Sequence, residues 1–259
     1  MQVYNKTDQT LHQICQVLAK AGRSFVPKQD DDSHSNLYFD ALAQRIHTHP
    51  FGDPRRTLAF NLINSTFEWV DARQRTSLIT KLAGQTIEQL ERIIAGQLLA
   101  TGLDEKAFLK PLHFEIPDYD HPKIFMPLAA EAVGEWRFYR RMANQVGYAL
   151  LGSLQKEGHP RIWPHHFDTG TYCIVDDYMG IGYGLAMQDE MVGTPYFYLT
   201  GHPQKGEVDY DQKPSLTNGR WQIGEHFNGA VLPITALPGK GSMKMILKFV
   251  QEATEWYLA

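Results

Sequence analysis

The chain has 259 residues, 43% hydrophobic and 21% charged, the balance of a soluble globule with enough apolar material for a sizeable core. A formal net charge of -4, from 25 basic and 29 acidic side chains, gives no long-range pull toward nucleic acid or an anionic membrane, and no apolar run approaches the roughly 18 residues that a bilayer span needs. The start, MQVYNKTDQTLHQ, lacks a signal-peptide apolar stretch, and Cys15 and Cys173 are the only cysteines, so free thiols and a cytoplasmic location are expected.

From Asp8 to Ala21 the pattern is helical, with Leu11, Ile14, Cys15 and Leu18 on one face and Gly22 as a stop; Cys15 fits that stripe as a small core residue. Asp30, Asp31 and Asp32 repel one another in a polar run and favour a solvated loop without the ligand spacing of a calcium loop. Leu37 and Phe39 alternate with polar neighbours, and His47 and His49 would share a strand face about 7 Å apart, joint ligands only if an acid faced them. FGDPRR marks a turn, and Arg56 to Leu62 a strand with Leu58, Phe60 and Leu62 on one side.

Gln85 to Leu99 is a second helix, opened by a capping box of Thr86 and Gln89 and followed by Gly102 as a left-handed C-terminal cap. Three prolines between Phe108 and Pro122 predict an edge strand or extended lead-in, and Glu115, Asp118, Asp120, His113 and His121 make it polar enough to line a cleft. Leu128 to Leu154 carries the longest helical stripe, with glycines inside it as packing sites. A single domain over 1–259 is expected, or two subdomains meeting near 158.

His159 to Pro203 concentrates histidines, acids, glycines and aromatics. Pro164 biases its surroundings toward extension, and in an extended chain His166 and Asp168 lie on one face while His165 points away. His166 and Asp168 could act as base and orienting carboxylate, with His165 as a further catalytic candidate, or could share a divalent metal with Asp177 returning from the end of the next strand. The competing reading is a structural hydrogen-bond network around Trp163. Gly180, Gly182 and Gly184 alternate with apolar residues, so one strand face is bare; a hairpin partner, TPYFYLT, offers Tyr196 and Tyr198. Tyrosines facing the glycines would fill the missing volume; otherwise Trp163, Gly182, Glu190, Tyr196 and Tyr198 are candidate contacts for a small-molecule ligand. The polar run 204–219 is long enough for a lid or flap. PGKGS at Pro238 to Ser242 fails the phosphate-loop pattern, and Met243 to Tyr257 closes the chain as a helix with Ser242 as its cap.

RIWPHHFD, GYG with MQDE, PYFYLTGHP and HFNGAVL together resemble an uncharacterised bacterial protein family with a Trp-Pro-(Glu/His)-His-Phe-Asp signature. The resemblance covers Ile162 to Leu232 most clearly and has no assigned activity; it implies a shared fold and site region, with His165 standing where glutamate is common. The alternation of periods 2 and 3.6 predicts an α+β fold, mainly antiparallel sheet from Thr171 to Leu199 and again near Ala230, packed by three to four helices. Three functional classes follow: a small-ligand or divalent-metal site in 163–202, a metal-dependent hydrolase using His166 and Asp168, and an interaction protein without catalysis. The cofactor is unknown, with a divalent metal ion as the candidate. The partner expectation is a small-molecule ligand, no nucleic acid and no membrane, with oligomeric state open.

Overall fold

Helix α1 (Gln2–Phe25) starts six residues before Asp8, where the sequence pattern begins, and buries more than one face. Leu11, Ile14, Cys15 and Leu18 are fully enclosed as the spacing predicts, but so are Tyr4, Asp8 and His12. The computed structural model describes residues 1–119, 123–239 and 241–259. Their contacts divide the chain into two compact units: a first unit of Gln2–Phe138 with Ile162–Phe167, and a second of Met1, Tyr139–Arg161 and Asp168–Ala259. Both contain antiparallel sheet and helix, so the fold is α+β, with five α-helices among the described residues. None of them is long and apolar enough to cross a membrane.

In the first unit β1 (Tyr38–Asp40), β2 (Arg45–His47), β3 (Arg56–Asn61), β4 (Thr66–Asp71) and β5 (Thr76–Lys81) form a meander in chain order. Leu58, Phe60 and Phe67 are buried as alternation requires. β5 escapes sequence reading because it is an edge strand whose Leu78 and Ile79 are both exposed, which removes the period-2 signal. The opposite sheet face carries a part-buried ion pair, Arg45 Nε to Glu68 Oε2 at 2.8 Å, with Thr66 donating to the same carboxylate at 3.1 Å.

α2 (Ile87–Leu99) opens on the expected capping box: the Thr86 side chain accepts from the Gln89 N–H, and the Gln89 side chain accepts from the Thr86 N–H. Gly102, at φ +79°, returns its N–H to the Leu99 carbonyl. Lys20 on α1 pairs with Glu91 on α2 at 2.5 Å. Between them lies α3 (Glu105–Leu109), where an edge strand or extended lead-in was expected from Phe108; among the described residues no strand forms there, and 110–119 is irregular. Arg23 fixes this segment by donating to the carbonyls of Ala107, Lys110 and Pro111 at 3.1, 2.9 and 2.7 Å, satisfying acceptors that a short helix leaves over at its end. Asp120, His121 and Pro122 lie outside the described residues. α4 (Ala130–Ser153) begins in the first unit and ends in the second.

In the second unit β7 (Asp168–Ile174), β8 (Met179–Ala186), β9 (Tyr196–Pro203), β10 (Arg220–Ile223) and β11 (Asn228–Pro233) form the antiparallel order β10-β11-β9-β8-β7. β6 (Arg161–Trp163) has Arg161 in this unit and Ile162 and Trp163 in the first. Ile181, Tyr183, Leu185, Phe197, Leu199, Ala230 and Leu232 form the sheet's buried face, and α5 (Ser242–Tyr257) buries Ile246, Phe249, Val250 and Ala253. α5 is preceded by Gly241 in the left-handed region at φ 92°, with no side-chain cap; Ser242, expected as the cap, instead donates its hydroxyl to the Gly239 carbonyl at 2.8 Å. Lys240 is outside the described residues.

The polar run 204–219 is tied to the unit. Tyr210, in a short 3-10 turn, bonds the Tyr257 hydroxyl at 3.0 Å, Thr217 bonds Glu252 through its N–H at 2.8 Å, and the Pro214 carbonyl accepts from Trp221 at 2.7 Å. These anchors replace the lid or flap expected from its length.

The glycine strand is covered by protein. Register places Gly184 opposite Tyr198 and Gly182 opposite Thr200, and the phenol of Tyr198 lies where a Gly184 side chain would begin. A Cβ added at Gly184 would stand 2.6 Å from the Tyr198 hydroxyl and 2.8 Å from the Thr169 carbonyl oxygen, which as backbone cannot step aside. Gly184→Ala is therefore expected to destabilise by about 1–3 kcal/mol in urea unfolding, as overpacking does; an unchanged midpoint would refute the filled-volume account.

Candidate functional site

Proline restricts the residue before it, and Trp163 is indeed extended, closing β6. Pro164 itself suits the second position of a turn, and Pro164 to Phe167 is a turn where extension was expected. The Phe167 N–H donates to the Trp163 carbonyl at 2.6 Å with Phe167 at φ 56°, a left-handed conformation that is rare for a bulky side chain. Burial holds it there: the ring is fully enclosed, stacked on His12 at 5.1 Å and on Trp136 at 6.2 Å.

This turn breaks the alternation on which the His166 and Asp168 pairing depends. His166 is exposed in the first unit, and Asp168 opens β7 in the second. His165 lies among rings, with centroids 4.4 Å from His166, 5.7 Å from Phe114 and 6.1 Å from Trp163. Asp177 sits in the exposed β7–β8 turn, the far end of a seven-residue strand from Asp168, hence roughly 20 Å away along it. It therefore does not join Asp168 as the third metal ligand that the sequence suggested. Among the described residues no three His, Cys, Asp or Glu side chains gather as a metal site. His47 and His49 flank the Tyr38 ring at 5.5 and 4.9 Å and bond the carbonyls of Thr48 and Ser33.

In the second unit two phenol–carboxylate pairs form. Tyr198 donates to Asp168 at 2.5 Å and Tyr196 donates to Asp189 at 2.6 Å, the two rings 6.5 Å apart. Burial, then the neighbouring carboxylates, push both phenols far above the ordinary tyrosine range. Asp189 also caps its own loop, accepting from the Val192 N–H at 2.9 Å, whereas Glu190 is exposed. Gly182 is covered by Thr200 and His202, which bond each other at 2.9 Å. Tyr196, Tyr198 and Gly182 thus lie together on the glycine face, engaged with protein groups.

The first unit holds a cavity of about 550 Å³. Its apolar walls are Ile87, Ile116 and Phe125, and its polar groups include Gln13, Gln16, Tyr119, Glu88, Asp118 and Lys123. Gln13 and Gln16 come from α1, Ile87 and Glu88 from the first turn of α2, and Tyr119 from the segment that Arg23 anchors upstream. Phe125 is fixed by reciprocal backbone bonds, its N–H to Gln85 and its carbonyl from Gly84, each 2.9 Å. Asp118 bears out the expectation that its segment lines a cleft; His113 lies elsewhere, paired with Asp32 at 3.3 Å.

The hydroxyl of Tyr119, one of the lining residues, bonds His12 Nδ1 at 2.8 Å, and His12 Nε2 bonds the Pro164 carbonyl at 2.8 Å. Gln16 donates to the same carbonyl at 2.9 Å. Burial, with Asp8 nearby, raises the Tyr119 phenol to about 12, so it stays protonated at neutral pH. The Trp-Pro-His-His turn therefore bears on this cavity through its backbone, while its conspicuous imidazoles do not line it. Sequence reading missed His12, Gln16 and Tyr119; the available signal was Asp8 and His12 four residues apart, beside an apolar stripe, as polar side chains on a helix face too wide to be solvated. A second cavity, about 630 Å³, lies between the end of α4 and α5 in the other unit and is lined mainly by Leu150, Leu154, Leu247, Val250 and Leu258.

Comparison with protein-family models, with curated proteins and with solved structures finds no match to this chain.

Two outcomes are expected. His166→Ala should change unfolding free energy by no more than about 0.5 kcal/mol, as an exposed site does, while His12→Ala removes a buried imidazole that bonds both the Pro164 carbonyl and the Tyr119 hydroxyl and should cost on the order of 1–3 kcal/mol; the reverse ranking in urea would contradict this geometry. Tyr183, Tyr196, Tyr198 and Tyr257 all have raised pKa values, chiefly through burial. An unfolded tyrosine titrates near about 10, so their contribution is complete below that pH and is lost as pH rises above it, where the unfolded chain releases protons the folded one retains. Urea midpoints that stay level between about pH 9 and 11.5 would rule this out.

Proposed function

We propose that this chain is a small-molecule-binding protein whose ligand occupies the cavity walled by Ile87, Ile116, Tyr119 and Phe125. Its volume, about 550 Å³, falls in the range of small-ligand sites, which pair apolar walls with a few fixed polar groups. One observation carries the reading: the Tyr119 hydroxyl on the wall is held by a buried imidazole that is itself held by a main-chain carbonyl. A polar group oriented before the ligand arrives costs little to order on binding, which is how such sites gain affinity. The cavity between α4 and α5 is also lined by Ser153, Gln251, Thr254 and Glu255, but there the hydrogen bond from Gln251 to Glu255 at 2.7 Å joins two exposed side chains and is not anchored on a buried one. A hydrolase built on His166 and Asp168 lacks a converging ligand set among the described residues.

The test is a fragment screen by ligand-observed NMR on the parent and on Ile87→Trp, whose indole would fill the cavity. Parent hits should weaken by about tenfold or more in the variant. Hits indifferent to Ile87→Trp, or a parent that binds nothing, would overturn the proposal. Elemental analysis of tag-free protein separates it from the metal reading: about one mole of zinc, manganese or iron per chain would favour metal chemistry instead.

A further inference from the structure

We infer that the second unit binds an uncharged aliphatic amphiphile, a linear chain ending in a hydroxyl, in the cavity between α4 and α5, with Thr254 meeting its polar end. This site is separate from the first-unit cavity and does not depend on it.

Thr254 lines the cavity, is 8% exposed, and its hydroxyl has no hydrogen-bond partner among the described residues. A threonine inside a helix has an acceptor at hand, the carbonyl one turn back. Thr7 and Thr10 on α1 take it, donating to Val3 and Lys6 at 2.9 and 2.7 Å. Thr254 on α5 does not. Ser153, the other hydroxyl in the lining, is engaged, donating to the Leu150 carbonyl at 2.8 Å. A buried hydroxyl left unanswered is unfavourable in itself. Rotation about one side-chain bond turns it toward the cavity its side chain borders. There it can donate to and accept from a single polar group.

The rest of the lining defines that group's surroundings. Leu150, Leu154, Leu247, Val250 and Leu258 supply apolar surface. Leu247 to Leu258 runs along α5 to its C-terminal cap, so the groove is roughly 16 Å long at the helical rise and suits a linear chain. No Lys, Arg or His stands among the described lining residues, so a carboxylate beside Thr254 would lose its water without gaining a counter-charge. Glu255 is exposed and already accepts from Gln251 at 2.7 Å, and so exposed a carboxylate adds little to the binding of an ammonium. An uncharged end is therefore preferred over either ion.

The full chain tests this with three probes of equal chain length, octanol, octanoate and octylammonium, titrated at neutral pH by ligand-observed NMR. Octanol should bind about tenfold more tightly than either ion. Thr254→Val keeps the shape and removes the hydroxyl; most of octanol's advantage should disappear, while the urea midpoint stays level or rises. Ala149→Trp, at an exposed lining position, should weaken octanol by about tenfold or more, and Ile87→Trp should leave it unchanged. The inference is overturned if octanol fails to bind, if either ion binds as tightly, or if octanol is indifferent to Thr254→Val or Ala149→Trp. A urea midpoint lowered by Thr254→Val also overturns it, because the hydroxyl then has a partner already. Octanol weakened by Ile87→Trp instead overturns this site and supports the first-unit cavity.

Discussion

His12 is the side chain on which the first unit's packing turns. It is buried on a helix, where an imidazole is costly unless both nitrogens find partners. The Pro164 carbonyl, 152 residues away in the chain, and the Tyr119 hydroxyl supply them, and the Phe167 ring covers one face. Each partner is itself constrained. Pro164 lies in a turn that forces Phe167 into the left-handed region, and Tyr119 follows a segment that Arg23 ties down by its carbonyls. Asp8, one turn earlier on α1, accepts from the Trp136 indole at 2.7 Å, so two successive turns of one helix bury polar groups that are answered specifically. Such satisfied networks fix geometry more sharply than apolar packing alone, because any shift leaves a desolvated donor or acceptor behind.

The second unit solves a different problem. A strand with glycine at alternate positions has no side chains to pack on one face and would be floppy and weakly paired. The neighbouring strands lay side chains across it: Tyr198 over Gly184, Thr200 and His202 over Gly182, Tyr172 over Gly180. Aromatic side chains reaching across to glycines on a paired strand restore the lost contact area. The hydroxyls of Tyr196 and Tyr198 then need partners, and Asp189 and Asp168 provide them. Asp168 thus has a packing reason to stand where the sequence made it look catalytic.

The separation of conspicuous from consequential residues is physical. His165, His166, Asp168 and Glu190 drew notice because reactive side-chain types cluster along the chain, and sequence proximity was taken for proximity in space. One left-handed residue, Phe167, is enough to undo a same-face argument that assumes uniform extension. The cavity, by contrast, is assembled from α1, the start of α2 and Ile116, Asp118, Tyr119, Lys123 and Phe125, and of these only the stretch around Asp118 was legible as lining a cleft.

What the sequence determined by itself was whatever local forces decide. The capping box at Thr86 and Gln89, the buried stripe of α1, the α+β class and the strand at Arg56–Asn61 all follow from periodicity and turn chemistry, which act within a few residues. Even the choice that tyrosines fill the glycine face was visible, because strand register sets it once the hairpin is known. Only the tertiary structure decided that Pro164 begins a turn, that β5 forms an exposed edge, and that His12 meets Tyr119 and Pro164. Those outcomes depend on which buried polar group finds which partner across more than a hundred residues, and no local pattern carries that information.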